Sequence, residues 1–578
     1  MVSEREGPEM DRRRFLTAGS ALLAGSALLP ACAATAAGPG RRTRPNIIVI
    51  VADDVTRNYL GCYGGPTPTP HLDRLAADGV RFAQAHCTAP LCNPSRYTLL
   101  TGQYPGRNSH AYSRTPEGEQ YWMGQSTNLT PEDSCIARPM NAAGYRTGYI
   151  GKWHSNFELG TDLSWPDDMD PDDPAVDRML HERHEQHVRR IKQLTGFDHV
   201  GNLVVGNLDR KARKCPKAGY HNPEWQTQGA LDFITRSTAE GRPFFLHLAN
   251  SIPHSPNVLE SLKQDTRYTQ TGKLDEPLTC HPPRHTVLER LEKAGLNTSG
   301  PLASINAGMI VLDDQLGAIR RRLAELGMAE NTLIIWVADH SIYGKGTVYA
   351  PGTHVPMLMS WPAGLPAGYE VKTPVSLVDL YRSCISAADA AIPDDTIDGQ
   401  NILPLARGAR IAHLPVYMEV NWFRGLLDGH FHYVAFRPPP EVLRKMEAGE
   451  ITVAADQAWG NHRNVFGDLN APFKPAYFEP DQLYDLRTDP FERHNLANQP
   501  AYTGRVEEMK SELGKTLATF QRPFPLEVPP FMQSQEYAEL VVRRKKLADE
   551  KFTHYPEPYD AERIYNLNLL DPLAESER

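Results

Sequence analysis

Cysteine is scarce in this chain: there are 8 in 578 residues, with no Cys-x-x-Cys pair and no paired metal spacing. That excludes a disulfide scaffold as the organising principle. Positive charge is not in excess either. Lys+Arg number 61 against 70 Asp+Glu, a net charge of −9, which argues against a nucleic-acid coat or a polybasic membrane patch. An anionic substrate must therefore be held by a local cluster of cations. Long hydrophobic runs are missing too. The most apolar stretch ends near Leu29 and is broken by Gly and Ser, too short for a good membrane span. Gly 43 and Pro 48 imply many turns, yet stay below the range of disordered or collagen-like chains. No internal repeat is visible. What remains is a globular composition, 40% hydrophobic and 23% charged, long enough for two or more folding units.

The N-terminus carries an address. Asp11-Arg12-Arg13-Arg14-Phe15-Leu16 precedes a charge-free run to Gly40, rich in Ala, Leu, Gly and Ser. Two arginines ahead of a moderate apolar run resemble a bacterial twin-arginine export signal. Residues 1–40 are read as that signal. Leu29-Pro30-Ala31-Cys32 resembles a lipoprotein cleavage box with Cys32 as the lipidated residue, and ordinary cleavage within Ala33 to Ala37 is the alternative. Either way the expected location is periplasmic or cell-surface. The twin-arginine machinery is then a partner, no membrane span is expected, and a lipid anchor at Cys32 is one of the two outcomes.

The body alternates strand and helix. Asn46 to Val51 is a short, continuous, β-branched run, the pattern of a strand buried on both faces of a parallel sheet. A helix follows from His71, after prolines at 66, 68 and 70. Another is expected from about Pro131 to Ala143, then strands at Tyr145 to Ile150 and Phe244 to Leu248. Ile305, Met309, Leu312, Leu316 and Ile319 recur at helical spacing within Leu302 to Leu326, and Thr332 to Val337 is the next strand. This order predicts an α/β fold, a large mixed, mainly parallel sheet sandwiched by helices. From about residue 411, Val416 to Val420 and His432 to Phe436 read as antiparallel strands. The expected division is residues 41–410 for the catalytic part, 411–530 for a smaller α+β subdomain and 531–578 for a tail, with a loop-rich stretch from Arg437 to Asn470.

The chemistry-bearing residues follow the strands. Asp53-Asp54 comes directly after the first strand and Asp339-His340 directly after the fourth. In a parallel sheet both pairs reach the same edge, where ligands collect. Carboxylates converging there repel one another unless a cation neutralises them. Oxygen donors favour Ca²⁺ or Mg²⁺, and His340 loosens that choice.

Cys92-Asn93-Pro94-Ser95-Arg96-Tyr97-Thr98-Leu99-Leu100-Thr101-Gly102 resembles the Cys-x-Pro-Ser-Arg-x-x-Leu-x-Thr-Gly signature of type I sulfatases, in the alkaline phosphatase superfamily. Flanking segments resemble the same family in order: Gly151-Lys152-Trp153-His154, Pro253-His254-Ser255-Pro256, Ala338-Asp339-His340 and Gly344-Lys345-Gly346-Thr347-Val348-Tyr349. Leu483-Tyr484-Asp485-Leu486 with Asp489-Pro490 and Asn495-Leu496 completes the set. The resemblance covers about residues 44–500 and implies an alkaline phosphatase-like fold.

It also implies that Cys92 is oxidised to Cα-formylglycine by a formylglycine-generating enzyme. The hydrated aldehyde offers two hydroxyls on one carbon, one to attack sulfur and one to expel sulfate. The implied metal ligands are Asp53, Asp54, Asp339, His340 and the modified Cys92, with Ca²⁺ as the cation and Mg²⁺ or Mn²⁺ as alternatives. Arg96, Lys152 and Lys345 are implied to surround the sulfate. His254, with Lys345, is implied to protonate the leaving alcohol, and His154 to assist proton removal from the second hydroxyl. Arg107, His110 and Trp153 are further candidates for substrate contact, from proximity in sequence alone. Ala350 stands where an acid often follows the tyrosine, His354 where arginine often precedes Val-Pro, and the loop from His340 to Lys345 is short.

The reaction implied is hydrolysis of a sulfate ester, of a sulfated carbohydrate or an aryl or alkyl alcohol. A phosphonate monoester or phosphodiester hydrolase on the same fold is the nearest alternative. An inactive sulfated-glycan-binding protein is the alternative from another class.

Overall fold

A computed structural model describes residues 44–110, 127–155, 166–342, 344–393, 396–412, 414–440, 444, 476–522 and 524–552. The export signal, Cys32, nearly all of the loop-rich stretch and the tail beyond residue 552 lie outside the described residues.

The first strand, β1 (Asn46–Ala52), is buried along its whole length. A strand without a polar face must be covered on both sides, and helices packed on the faces of the sheet supply that cover. In chain order the others are β2 (Val80–His86), β3 (Arg146–Trp153), β4 (His199–Val205) and β5 (Phe244–Ala249). A small hairpin of β6 (Tyr268–Thr269) and β7 (Gly272–Lys273) precedes β8 (Thr332–Ala338), β9 (His354–Ser360), β10 (Tyr369–Val371) and β11 (Val375–Ser376). β1 pairs in parallel with both β8 and β5, β5 with β3, and β3 with β4. Beyond β8 the sheet turns antiparallel through β9 to β2, and β10 and β11 then add to β2 in parallel. The order is β10-β2-β9-β8-β1-β5-β3-β4, with β11 also on β2. This is the mixed, mainly parallel sheet expected. The helix Gly300–Glu325 buries Ile305, Met309, Leu312, Leu316 and Ile319 and packs on the helix Pro223–Ala239.

The chain then builds a second sheet from β12 (Val416–Val420), β13 (Phe423–Asp428), β14 (Phe431–Phe436) and β15 (Asp481–Asp485), antiparallel throughout. The helix Thr503–Leu517 lies on β13 and β14, so this C-terminal part is α+β.

Two local expectations are corrected. The helix expected over residues 131–143 spans only Ala137–Ala142. Pro139 lacks an N–H and clashes with the carbonyl four residues back, so it fits a first helical turn but not a helix interior. Arg107 and Trp153 are structural. Arg107 forks onto Asp398, with two nitrogens each 2.7 Å from a carboxylate oxygen, and its NH1 also donates to Thr519 O at 3.0 Å. Its guanidinium covers the Phe520 ring. Trp153 is buried edge-on against Tyr149. His110 is buried as well.

Removing Arg107 leaves Asp398 without its ionic partner. Arg107→Ala is expected to lower stability by about 1–3 kcal/mol in urea melts and to leave turnover within about twofold. A large rise in KM at unchanged stability would return Arg107 to the substrate.

Burial, with Arg96 adding to it, drops the His247 imidazole on β5 from 6.5 to about 3. Below pH 6.5 the unfolded chain takes up a proton at this position that the folded chain refuses. Folding therefore loses about 1.4 kcal/mol per pH unit from this group as pH falls from 6.5 towards 3. His247→Gln should flatten the pH dependence of stability by about that slope in the same window, and an unchanged slope would remove His247 from the account.

Candidate active site

The parallel strands deliver the site because their ends are level. Ala52 of β1 lies beside Ala338 of β8, so Asp53-Asp54 and Asp339-His340 leave the sheet side by side. Ala249 of β5 lies level with Val51 and with Gly151. The residues after β5 run through Asn250 into the turn that carries His254, and the end of β3 supplies Lys152 and His154. Asp54 takes φ 63°, a left-handed conformation that Asp adopts more readily than most residues. Its N–H is accepted by Asp339 Oδ1 at 3.1 Å.

Cys92 is the first residue of the helix Cys92–Thr101 and is buried. Arg96 lies one turn later, on the same face, because residues four apart on a helix are neighbours. That is the physical content of the Cys-x-x-x-Arg spacing. Arg96 reaches three strand ends: Nε to Asp339 Oδ2 at 2.9 Å, NH2 to Asp53 Oδ1 at 3.3 Å and NH2 to Asn250 O at 3.1 Å.

Cys92 Sγ lies 3.2 Å from His340 Nε2, 3.6 Å from Lys345 Nζ and 3.8 Å from Asp54 Oδ1. Lys152 Nζ is 2.6 Å from Asp53 Oδ2, and Lys345 Nζ donates to both Asp54 oxygens at 2.8 and 2.9 Å. His254 Nε2 stands 3.9 Å from Asp54 Oδ2. His154 is buried, and among the described residues its Nδ1 has no hydrogen-bond partner. Thus Cys92, Arg96, Lys345, Asp53, Asp54, Asp339 and His340 form one contact network, which Lys152 joins through Asp53 and His254 approaches through Asp54.

The electrostatics follow from burial and pairing. Burial pushes the Asp53 carboxyl up, but Lys152 and Arg96 outweigh it and hold it well below the usual range. Asp54 is likewise held down against its burial, by Lys345 and His340. For Asp339 burial wins over His340 and Arg96, and its carboxyl is raised. His340 is raised well above the usual imidazole range, since Asp339 and Asp54 overcome its desolvation. Burial, then Lys152, pushes His154 well down, and burial, then Lys345, lowers His254.

A cation fits here. Asp53, Cys92, Asp339 and His340 each bring a donor atom to within 4.8 Å of the others. Asp53 Oδ1 is buried and accepts no hydrogen bond among the described residues. His340 turns Nδ1 to Ser341 O at 3.1 Å, which leaves Nε2 facing the cluster, the arrangement of a metal-binding imidazole. Asp54 joins this group through His340, 3.0 Å away.

Several residues that hold the site carry no motif. Asn207 follows β4 and accepts from Lys152 Nζ at 2.8 Å. Recognising His199–Val205 as a strand would have pointed to it. Asn93 donates to His154 O at 2.7 Å. His221 Nε2 lies 2.8 Å from His254 O and 3.1 Å from Pro256 O, and its Nδ1 lies 3.0 Å from Ser251 Oγ. It thereby ties the turn that carries His254, with no periodic or spacing signal in the sequence.

Comparison with known proteins gives the same direction. A family model described as Sulfatase matches residues 45–390. Mouse (Mus musculus) steryl-sulfatase is 29% identical over 513 residues, covering 80% of this chain and 79% of its own. The N-acetylgalactosamine-6-O-sulfatase of Bacteroides thetaiotaomicron is 25% identical, covering 83% of this chain and 95% of its own. Among solved structures, Ps i-CgsB in complex with k-i-k-neocarrahexaose superposes with a TM-score of 0.56 at 20% identity, covering 87% of this chain and 98% of that one. BT4656 in complex with its substrate D-glucosamine-2-N,6-O-disulfate gives 0.52 at 18% identity, covering 84% and 100%.

Arg96 serves three partners with one rigid planar fork, a geometry that the point charge of a lysine does not reproduce. Arg96→Lys is expected to fold, to lose kcat/KM by about 100-fold or more, and to bind divalent cations more weakly by calorimetry. Retained turnover and cation binding would show that any cation suffices at this position.

Proposed function

The chain belongs to the sulfatase family and is a sulfuric ester hydrolase, and on that premise we propose that its nucleophile is Cys92 in the oxidised, Cα-formylglycine form. The family is dependent on a divalent metal and on a cysteine-derived formylglycine. One observation carries the proposal here: Cys92 Sγ stands within 3.2–3.8 Å of His340, Lys345 and Asp54, and Arg96 follows one helical turn later. A thiol is a poor group for this reaction, whereas a hydrated aldehyde brings two hydroxyls to the same point.

Asp53, Asp54, Asp339 and His340, with the residue-92 side chain, would hold the divalent cation. Ca²⁺ suits the oxygen-rich set, with Mg²⁺ or Mn²⁺ as alternatives. Bound there, the cation supplies positive charge to polarise a sulfate oxygen. The other steps belong to the chain. Arg96, Lys152 and Lys345 bind the sulfate and stabilise the charge that develops on it. Arg96 contributes a two-pronged grip, and the lysines contribute point charges. His254, with Lys345, protonates the leaving alcohol. His154 is a neutral imidazole because burial disfavours its charged form, and it accepts a proton from the residue-92 side chain.

The substrate we propose is a sulfated carbohydrate, with an aryl or alkyl sulfate as the alternative. Two lines support the carbohydrate: relatives whose names specify amino-sugar sulfates, and the export signal read in residues 1–40, which sends the enzyme to where sulfated glycans are met. That signal implies passage through the twin-arginine machinery to the periplasm or cell surface, and maturation by a formylglycine-generating enzyme. Among the described residues no helix is long and apolar enough to cross a membrane.

The direct test is the mass of the tryptic peptide Phe82 to Arg96, from protein made together with a formylglycine-generating system. The peptide is expected to carry aldehyde in place of thiol, and Cys92→Ala is expected to abolish aryl sulfate turnover. An unmodified thiol in an active enzyme would sink the proposed nucleophile. Much faster turnover of an aryl phosphonate than of an aryl sulfate would point to the phosphonate as the preferred ester.

A further inference from the structure

Lys345 sits in a loop whose far end is held by the second sheet. Gly344 and Gly346 take φ 75° and 80°, so the loop doubles back on itself. Thr347 donates to Gly344 O from its N–H at 3.0 Å and from Oγ1 at 2.8 Å. Gly346 N–H donates to Pro90 O at 2.8 Å, two residues before Cys92. After Tyr349 the chain enters the short helix Ala350–Thr353.

That junction is fixed from elsewhere. The Tyr349 hydroxyl donates to Gln482 Oε1 on β15 at 2.8 Å. The Ala350 N–H, one of the orphan donors at the start of a helix, donates to Glu492 Oε2 at 2.8 Å. Glu492 is fully buried with φ 55°. Its other oxygen is hydrogen-bonded to His432 Nδ1 on β14. Residue 350 is where the motif resemblance leads one to expect an acid. Here it is alanine, and the carboxylate that meets this junction comes from 142 residues further along the chain.

We infer that Glu492 is a positioning residue for sulfate-ester cleavage: it pins the Ala350 N–H to the second sheet and so fixes Lys345 against Asp54 and Cys92. The inference rests on the role given to Lys345 above. Only four residues separate Lys345 from Ala350, and the flanking glycines leave the loop little stiffness of its own. Displacement of a catalytic cation by about 1 Å is enough to cost about 100-fold in rate. Glu492 acts through the backbone N–H of Ala350.

The test uses the full-length matured enzyme, an aryl sulfate substrate and inorganic sulfate as inhibitor. Glu492→Ala is expected to lower kcat/KM about tenfold and to raise the inhibition constant of sulfate in parallel. Glu492→Gln keeps an acceptor for the Ala350 N–H and is expected to remain within about threefold of the parent. Lys345→Ala should be nearly inactive, and the double variant should be no worse than Lys345→Ala alone. Where Glu492→Ala gives no soluble protein, Glu492→Asp is read in its place, with a smaller loss of the same kind expected. If the losses of Glu492→Ala and Lys345→Ala multiply in the double variant, or if Glu492→Ala stays within twofold while Lys345→Ala is inactive, the inference fails by itself. If Lys345→Ala is fully active, the role given to Lys345 fails and the inference falls with it.

Discussion

Charge buried away from the solvent surface is the constraint on which this structure turns. Asp53, Asp339 and His340 show no exposed surface at all, and Asp54, Arg96, Lys152 and Lys345 show almost none. An unpaired ion in such surroundings costs several kcal/mol even after relaxation. Each carboxylate is therefore met by at least one cation: Asp53 by Lys152 and Arg96, Asp54 by Lys345, and Asp339 by Arg96. The balance is not even. Asp339 remains pushed towards its neutral form, and Asp53 Oδ1 accepts no hydrogen bond among the described residues. Asp53, Cys92, Asp339 and His340 nevertheless bring donor atoms to within 4.8 Å of one another at this point, and that convergence is what would suit a bound cation.

The fold makes this concentration of charge affordable. A parallel sheet ends all its strands on one side, and the register of β8, β1, β5 and β3 is level to within a residue. β1, β5 and β8 can then stay fully buried, and β3 nearly so, while the polar residues at and just beyond their ends meet in one place. The helix Cys92–Thr101 is buried along its length and brings Cys92 and Arg96 to the same edge. The rigidity of the site is thus borrowed from strands and one helix, with only the His254 turn and the Lys345 loop held by added hydrogen bonds.

How much of this the sequence discloses depends on the kind of signal. Continuous β-branched runs, as in Asn46 to Val51 and Thr332 to Val337, announce buried strands, and the acids directly after them announce the site edge. The spacing from Cys92 to Arg96 encodes a shared helical face. By contrast, β2, β4 and β9 mix polar and apolar residues, and no period separates them from loops. Pro139 was a readable signal that shortens a helix to Ala137–Ala142. Arg107 and Trp153 show the opposite failure, since nearness in sequence to a signature says nothing about direction, and both turn into packing. His221, Asn207 and Asn93 act on backbone or on single side-chain atoms from distant segments, a role that leaves no mark on composition or period.

The second sheet follows from the same reasoning. The Lys345 loop bears two glycines in left-handed conformations, so it has the freedom to reach between Asp54 and Cys92 but no strand of its own to hold it there. A loop that must carry a buried ammonium needs its far end anchored, because a lysine that swings away takes from the buried Asp54 the cation that contacts both its oxygens. β14 and β15 provide that anchor through His432, Gln482 and the buried Glu492 that follows them. Their apolar faces pack on the same segment, with Val348 and Tyr349 buried in one cluster with Phe423, Val434 and Tyr484. The C-terminal α+β part is accordingly continuous with the site. The main sheet positions Asp53, Asp54, Asp339 and His340, the helix Cys92–Thr101 brings in Cys92 and Arg96, and the second sheet holds the loop that keeps Lys345 among them.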